Sequence, residues 1–129
     1  MDFNLPALIT ILTVILLFAL ALNVGRARAK YKIEAPVTTG HPAFELTYRA
    51  QMNTVESAIA FLPALWLFSY YASPIWGGLL GGLWLIGRVW YAIAYCADAK
   101  KRGAGFGLSL LAFAILTIGA LIAIILQML

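Results

Sequence analysis

The chain has 129 residues, of which 64% are hydrophobic and only 11% charged, with a formal net charge of +4. A soluble domain carries about 25% charged residues, so this composition excludes a soluble enzyme, a disordered tail and a disulfide-rich secreted module, and it points to an integral membrane protein. A spanning helix needs about 20 residues, so four spans with short loops use the whole chain, 1–129, as a single all-α transmembrane domain.

The first apolar run is Leu5 to Leu22, and the first span is expected over about 5–25. Asn4 is placed to cap it, and Pro6 falls in the first turn, where a missing N–H costs nothing. Ala19-Leu20-Ala21 has the small-x-small form of a leader cleavage site. The preceding residues nonetheless hold Asp2 and no Lys or Arg, so a retained helix is expected. A polar segment, 23–45, follows. It carries Arg26, Arg28, Lys30 and Lys32 at alternate positions, then Pro36, Gly40 and Pro42, which favour a loop in its second half. The second span is expected over about 44–71, kinked at Pro63. Ser73-Pro74 reads as the cap and first residue of a third span, about 74–100, which continues as helix into Asp98 and Lys100. Arg102-Gly103 breaks it, and the last span covers about 106–128.

Seven of the nine Lys and Arg lie in two segments, Arg26 to Lys32 and Lys100 to Arg102. Positive charge stays on the cytoplasmic side. With four spans both basic segments, 23–45 and 98–105, fall on that side and both termini lie outside. A bacterial inner membrane fits the compact chain, and a microsomal membrane would use the same pattern. On this reading topology explains the basic run without lipid recognition and without nucleic acid. The one cysteine, Cys96, allows no intrachain disulfide and no Cys-based metal cluster, and it reads as a small buried hydrophobe. His41 has no metal partners in sequence and reads as a loop residue. Gly77-Gly78 and Gly81-Gly82 form overlapping small-xxx-small patterns that read as helix packing. Trp66, Trp76, Trp84 and Trp90 read as membrane residues, some of them at interfaces.

An ionisable group inside a membrane is a functional hypothesis by default. Arg49 and Glu56 fall in span two, and Arg88 falls in span three. At about 100° per residue, Arg49, Asn53 and Glu56 share a stripe roughly 60° wide. Arg88, Tyr91 and Tyr95 repeat the arrangement on span three, and a continuing helix brings Arg102 back to the same side. Gln51 points away from its own stripe, toward a neighbouring helix or subunit. A structural alternative is a buried Glu56–Arg88 ion pair. The whole set instead matches a ligand with two carboxylates, an ammonium and several amides, because Arg grips carboxylates through a planar fork while Glu accepts an ammonium.

These residues resemble the MAPEG family, the membrane-associated proteins in eicosanoid and glutathione metabolism. The likeness is to its branch of leukotriene C4 synthase and microsomal glutathione S-transferases 2 and 3. It rests on Gly40, Phe44-Glu45, Arg49-Ala50-Gln51-Met52-Asn53 with Glu56 soon after, and on Arg88-Val89-Trp90-Tyr91 with Tyr95 and Arg102. The resemblance implies a four-helix protomer, a homotrimer, and glutathione held between protomers. By position, Arg49, Asn53, Glu56, Tyr91 and Tyr95 would bind glutathione, Arg28 and Gln51 would reach across the subunit boundary, and Arg88 would support the site. Arg102 stands at the thiol-activating position. Departures are Leu46-Thr47 for the usual Arg-Val, Thr54 for Cys, Ser57 where many members have Tyr, and Ala29 for a second Arg.

The implied activity is a glutathione-dependent transferase or peroxidase. Its partners are glutathione, a hydrophobic electrophile or lipid hydroperoxide, and the surrounding membrane lipids. The apolar substrate is expected in a groove between protomers, lined by spans one and four. A non-catalytic scaffold that binds a lipid and presents it to a partner is the alternative. A small drug exporter fits poorly, since the first span has no carboxylate between Leu5 and Leu22.

Overall fold

A computed structural model describes residues 2–129 and contains, among them, four long helices and no strand. These are α1 (Asn4–Tyr31), α2 (Pro42–Tyr71), α3 (Pro74–Ala97) and α4 (Gly103–Met128), with one short 3₁₀ turn, Ala99–Lys101, before α4. The all-α expectation holds. Helices α1 and α3, and the stretch Ala99–Met128, are long and apolar enough to cross a membrane. α2 is long enough but is not among them; its first half is polar, with Glu45, Arg49, Gln51, Asn53 and Glu56. It lies at the centre of the bundle with α3: each touches all three other helices, while α1 and α4 scarcely touch each other.

The helix ends follow local chemistry, with differences from the sequence expectations. Asn4 does not cap α1; its own N–H donates to the Asp2 carboxylate at 2.8 Å. α1 runs through the basic segment to Tyr31 and stops at Lys32, which adopts the left-handed conformation (φ 56°). Arg26, Arg28 and Lys30 are therefore helical. α3 stops at Ala97 rather than continuing to Lys100, because Asp98 is extended and its side chain accepts the Lys100 N–H at 3.0 Å. Ser73 caps α3 as expected, accepting from the Trp76 N–H at 3.3 Å.

His41 is a cap rather than a plain loop residue. Its Nδ1 accepts the Ala43 N–H at 3.1 Å, and its ring stacks on Tyr31, centroids 4.0 Å apart. This joins the end of α1 to the start of α2. His41→Ala is expected to lose the cap and the stack together, about 1–2 kcal/mol, in a detergent unfolding titration.

Phe61 and Trp84 are both fully buried and stack nearly parallel, centroids 3.8 Å apart, with Leu65 and Leu116 beside them. Trp84 is thus a core residue, whereas Trp76 and Trp90 face outward. The glycines of α3 act as the packing reading expects. A β-carbon at Gly81 would meet Ile9 and Leu65 at 3.0 Å, and one at Gly78 would strike Leu5. α1, α2 and α3 therefore approach closely along this face.

Candidate functional site

At the end of the bundle where α2 and α4 begin and α3 ends, a cavity of about 230 Å³ is lined by Asn53, Tyr91, Arg102, Gly103 and Phe106. Three separate elements supply these residues. Arg102 does not sit on the α3 stripe, because α3 ends before it. The turn Ala99–Lys101 carries it instead to the N-terminal boundary of α4. It still arrives beside Asn53 and Tyr91, by a turn rather than by helix phase.

The close approach of α3 and α4 sets this arrangement. A β-carbon at Gly87 would lie 2.7 Å from the Ser109 nitrogen, and one at Gly105 would strike the Tyr91 backbone. Backbone touches backbone there, which seats the start of α4 beneath Tyr91. Sequence reading missed Gly87, Gly105 and Phe106. The run Gly103-Ala104-Gly105-Phe106-Gly107 was the available signal.

Behind the cavity lies Arg88, which is 1% exposed. Its Nη2 donates to Asn53 Oδ1 at 2.7 Å and to Thr54 Oγ1 at 2.8 Å, and its guanidinium lies 4.2 Å from the Tyr91 ring centroid. The proposed Glu56–Arg88 pair does not form. Glu56 instead faces Arg49 on its own helix at 3.9 Å, with both side chains more than half exposed. The i, i+7 stripe explains that contact, and such an exposed pair adds little stability. Arg88 takes neutral acceptors because they are the groups α2 presents at its depth. With Oδ1 engaged, Asn53 has its amide nitrogen left to offer the cavity as a donor.

Tyr91 is buried between Arg88, Tyr95 (rings stacked, 5.3 Å) and Phe106 (6.3 Å). Thr54 stands where the family pattern has Cys. It is fully buried, donates to the Ala50 carbonyl at 2.9 Å and accepts from Arg88. Thr54→Val keeps the volume and removes the acceptor. It is expected to cost about 1–3 kcal/mol in unfolding titrations and to weaken ligand binding through Asn53.

The other candidates lie outside this cavity. Arg28 donates to the Val37 carbonyl at 2.7 Å and the Ile33 carbonyl at 3.4 Å, and covers the Phe44 ring at 5.0 Å. It fastens the α1–α2 connection. Gln51 is half-buried on α2. The Ser57 hydroxyl accepts from Trp84 Nε1 at 3.3 Å, so it is occupied by the core. Within one chain the apolar groove of about 270 Å³ runs between α2 and α4, past Ala60, Ala64, Phe113 and Thr117. The groove expected between protomers from spans one and four needs a second copy; within one chain α1 and α4 scarcely meet.

The cavity suits an anion. Arg102 brings a guanidinium cation with five N–H donors. α4 has no side-chain cap, and its first N–H groups have no partner within the helix. Helix dipole and guanidinium thus add at one place.

Fold and site together define a multi-pass membrane protein with an anion-accepting cavity at one end of its helix bundle. The model of the MAPEG family matches residues 6–122. An uncharacterized protein of Synechocystis sp. is 49% identical over 95% of this chain and 90% of its own length. Human microsomal glutathione S-transferase 2 is 45% identical over 78% of this chain and 69% of its own. Guinea-pig (Cavia porcellus) leukotriene C4 synthase is 38% identical over 76% and 65%. The chain belongs to the MAPEG family.

Proposed function

We propose that the protein is a membrane-bound glutathione-dependent transferase, with peroxidase activity toward lipid hydroperoxides as a second outcome of the same thiol chemistry. One observation carries the reading: Arg102, Asn53 and Tyr91, brought from three elements, line one cavity at the uncapped start of α4. The relatives named as a glutathione S-transferase and a leukotriene synthase support it.

Glutathione would be held by Arg49, Asn53, Glu56, Tyr91 and Tyr95, with Arg28 and Gln51 contributed by a neighbouring copy in a homotrimer. Arg88 holds Asn53 and Tyr91 in place. A free thiol has a pKa of about 8.5, and the thiolate is the nucleophile. The charge of Arg102 and the α4 N-terminus favour the thiolate, and the thiol proton leaves to water. The sulfur then bonds to the electrophilic carbon of an apolar substrate delivered from the bilayer, whose leaving group or π-electrons take up the electron pair. The four helices span the membrane as one domain, with the basic segments cytoplasmic and the termini outside.

The test is the ultraviolet difference spectrum on adding glutathione to the purified protein. A thiolate band is the expected result. Binding without a band would favour the lipid-presenting scaffold, a reading that the engaged Ser57 hydroxyl and the apolar α2–α4 groove also fit. No binding would end the glutathione assignment.

A further inference from the structure

The basic end of α1 holds a second pocket, separate from the thiol site. It measures about 360 Å³ and is lined by Asn23, Arg26, Ala27, Lys30 and Tyr31 from α1 and Thr47 from α2. The five α1 residues recur at i, i+3, i+4, i+7 and i+8, so they form one helical stripe. Arg28 and Lys32 point elsewhere, and Arg28 is already engaged with backbone carbonyls. Topology alone asks for positive charge anywhere in this segment. It does not ask for two cations and an amide around one concavity.

The depth of the pocket fits a particular ligand. α1 starts at Asn4, and 20 residues at 1.5 Å each reach Asn23 after about 30 Å, the thickness of the hydrocarbon core. Arg26 and Lys30 come about 5 and 10 Å further out, in the headgroup layer. Helical side chains lean toward the N-terminus, so both cations reach back toward the bilayer. Neither has a carboxylate within 4.0 Å among the described residues, where Arg49–Glu56 is the ion pair present. Ala27 is small and buried and leaves room at the floor. Thr47 gives its hydroxyl proton to the Ala43 carbonyl at 3.0 Å, so the lining residues with a donor left to offer are Arg26, Lys30, Asn23 and Tyr31.

We infer that this pocket binds the phosphate of an anionic phospholipid headgroup, with Arg26 and Lys30 as its charge partners and Asn23 as a neutral donor. The inference is independent of the thiol reading. The experiment is native mass spectrometry of the purified protein from mixed micelles holding equal amounts of phosphatidylglycerol and phosphatidylcholine with the same acyl chains. Retention of phosphatidylglycerol is expected to exceed that of phosphatidylcholine by about tenfold. Arg26→Gln combined with Lys30→Gln should bring the ratio near one. Lys100→Gln combined with Lys101→Gln, the same charge change in the other basic segment, should leave it intact. Thr47→Phe fills the pocket while keeping both cations, and it should lower retention even if the double variant fails to fold. Equal retention of the two lipids by the unaltered protein would overturn the site. An equal fall in both double variants would reduce it to a diffuse field and overturn it too. Displacement of phosphatidylglycerol by millimolar inorganic phosphate would assign the pocket to a soluble anion, and the lipid inference would fail.

Discussion

Arg102→Ala is expected to abolish the thiolate band of bound glutathione and to cut turnover by about a hundredfold or more, while affinity changes only a few-fold. The cause is electrostatic. The guanidinium cannot take a proton, so it acts by favouring the charged form of the sulfur. The α4 N–H groups remain in the variant and should retain a residue of activity that rises with pH as solvent hydroxide deprotonates the thiol. Arg102→Lys keeps a charge without the planar fork and should fall between the two. Unchanged turnover in Arg102→Ala at neutral pH would sink the assignment of this residue.

Gly105→Ala should have the largest structural effect of any single methyl. The added carbon would meet the Tyr91 backbone and the Gly87 carbonyl, and neither is a flexible side-chain tip that can move aside. α3 and α4 would have to separate, at a cost of about 2–3 kcal/mol, with Gly105→Val costing more. Because Arg102 lies three residues upstream, the same shift should weaken the thiolate band. Gly107→Ala, two residues on, meets nothing within 4 Å. It should be neutral or stabilising by up to about 1 kcal/mol. If the two substitutions behave alike in unfolding titrations, backbone-to-backbone packing does not hold the site together.

Much of this was legible in the sequence, and the failures have physical reasons. Hydropathy and the Pro, Gly and Ser punctuation place all four helices, and Ser73 caps as its position suggests. Spacing finds the two polar stripes correctly. It does not find partners, because phase says which residues share a face and not which neighbour lies at the same depth. That is why Arg88 turns to Asn53 and Thr54 and not to Glu56. Arg102 reaches its place by a turn that Asp98 nucleates, not by helix phase. Gly87 and Gly105 were harder to read, because each matters through backbone 14 to 22 residues away on another helix, and the glycine-rich run 103–107 was the one local signal.

Arg88 also bears on how the chain enters the bilayer during synthesis. An isolated α3 passing into lipid would carry a lone guanidinium, a penalty of roughly 2.5–3.5 kcal/mol at mid-helix. Both acceptors that answer it are on α2, itself the helix not apolar enough to cross by composition alone. Only Ala72 and Ser73 separate the two helices. Each therefore supplies what the other lacks, and the unit of integration is the α2–α3 hairpin. The expected order is that α2 and α3 enter lipid together, with their polar faces already closed on each other.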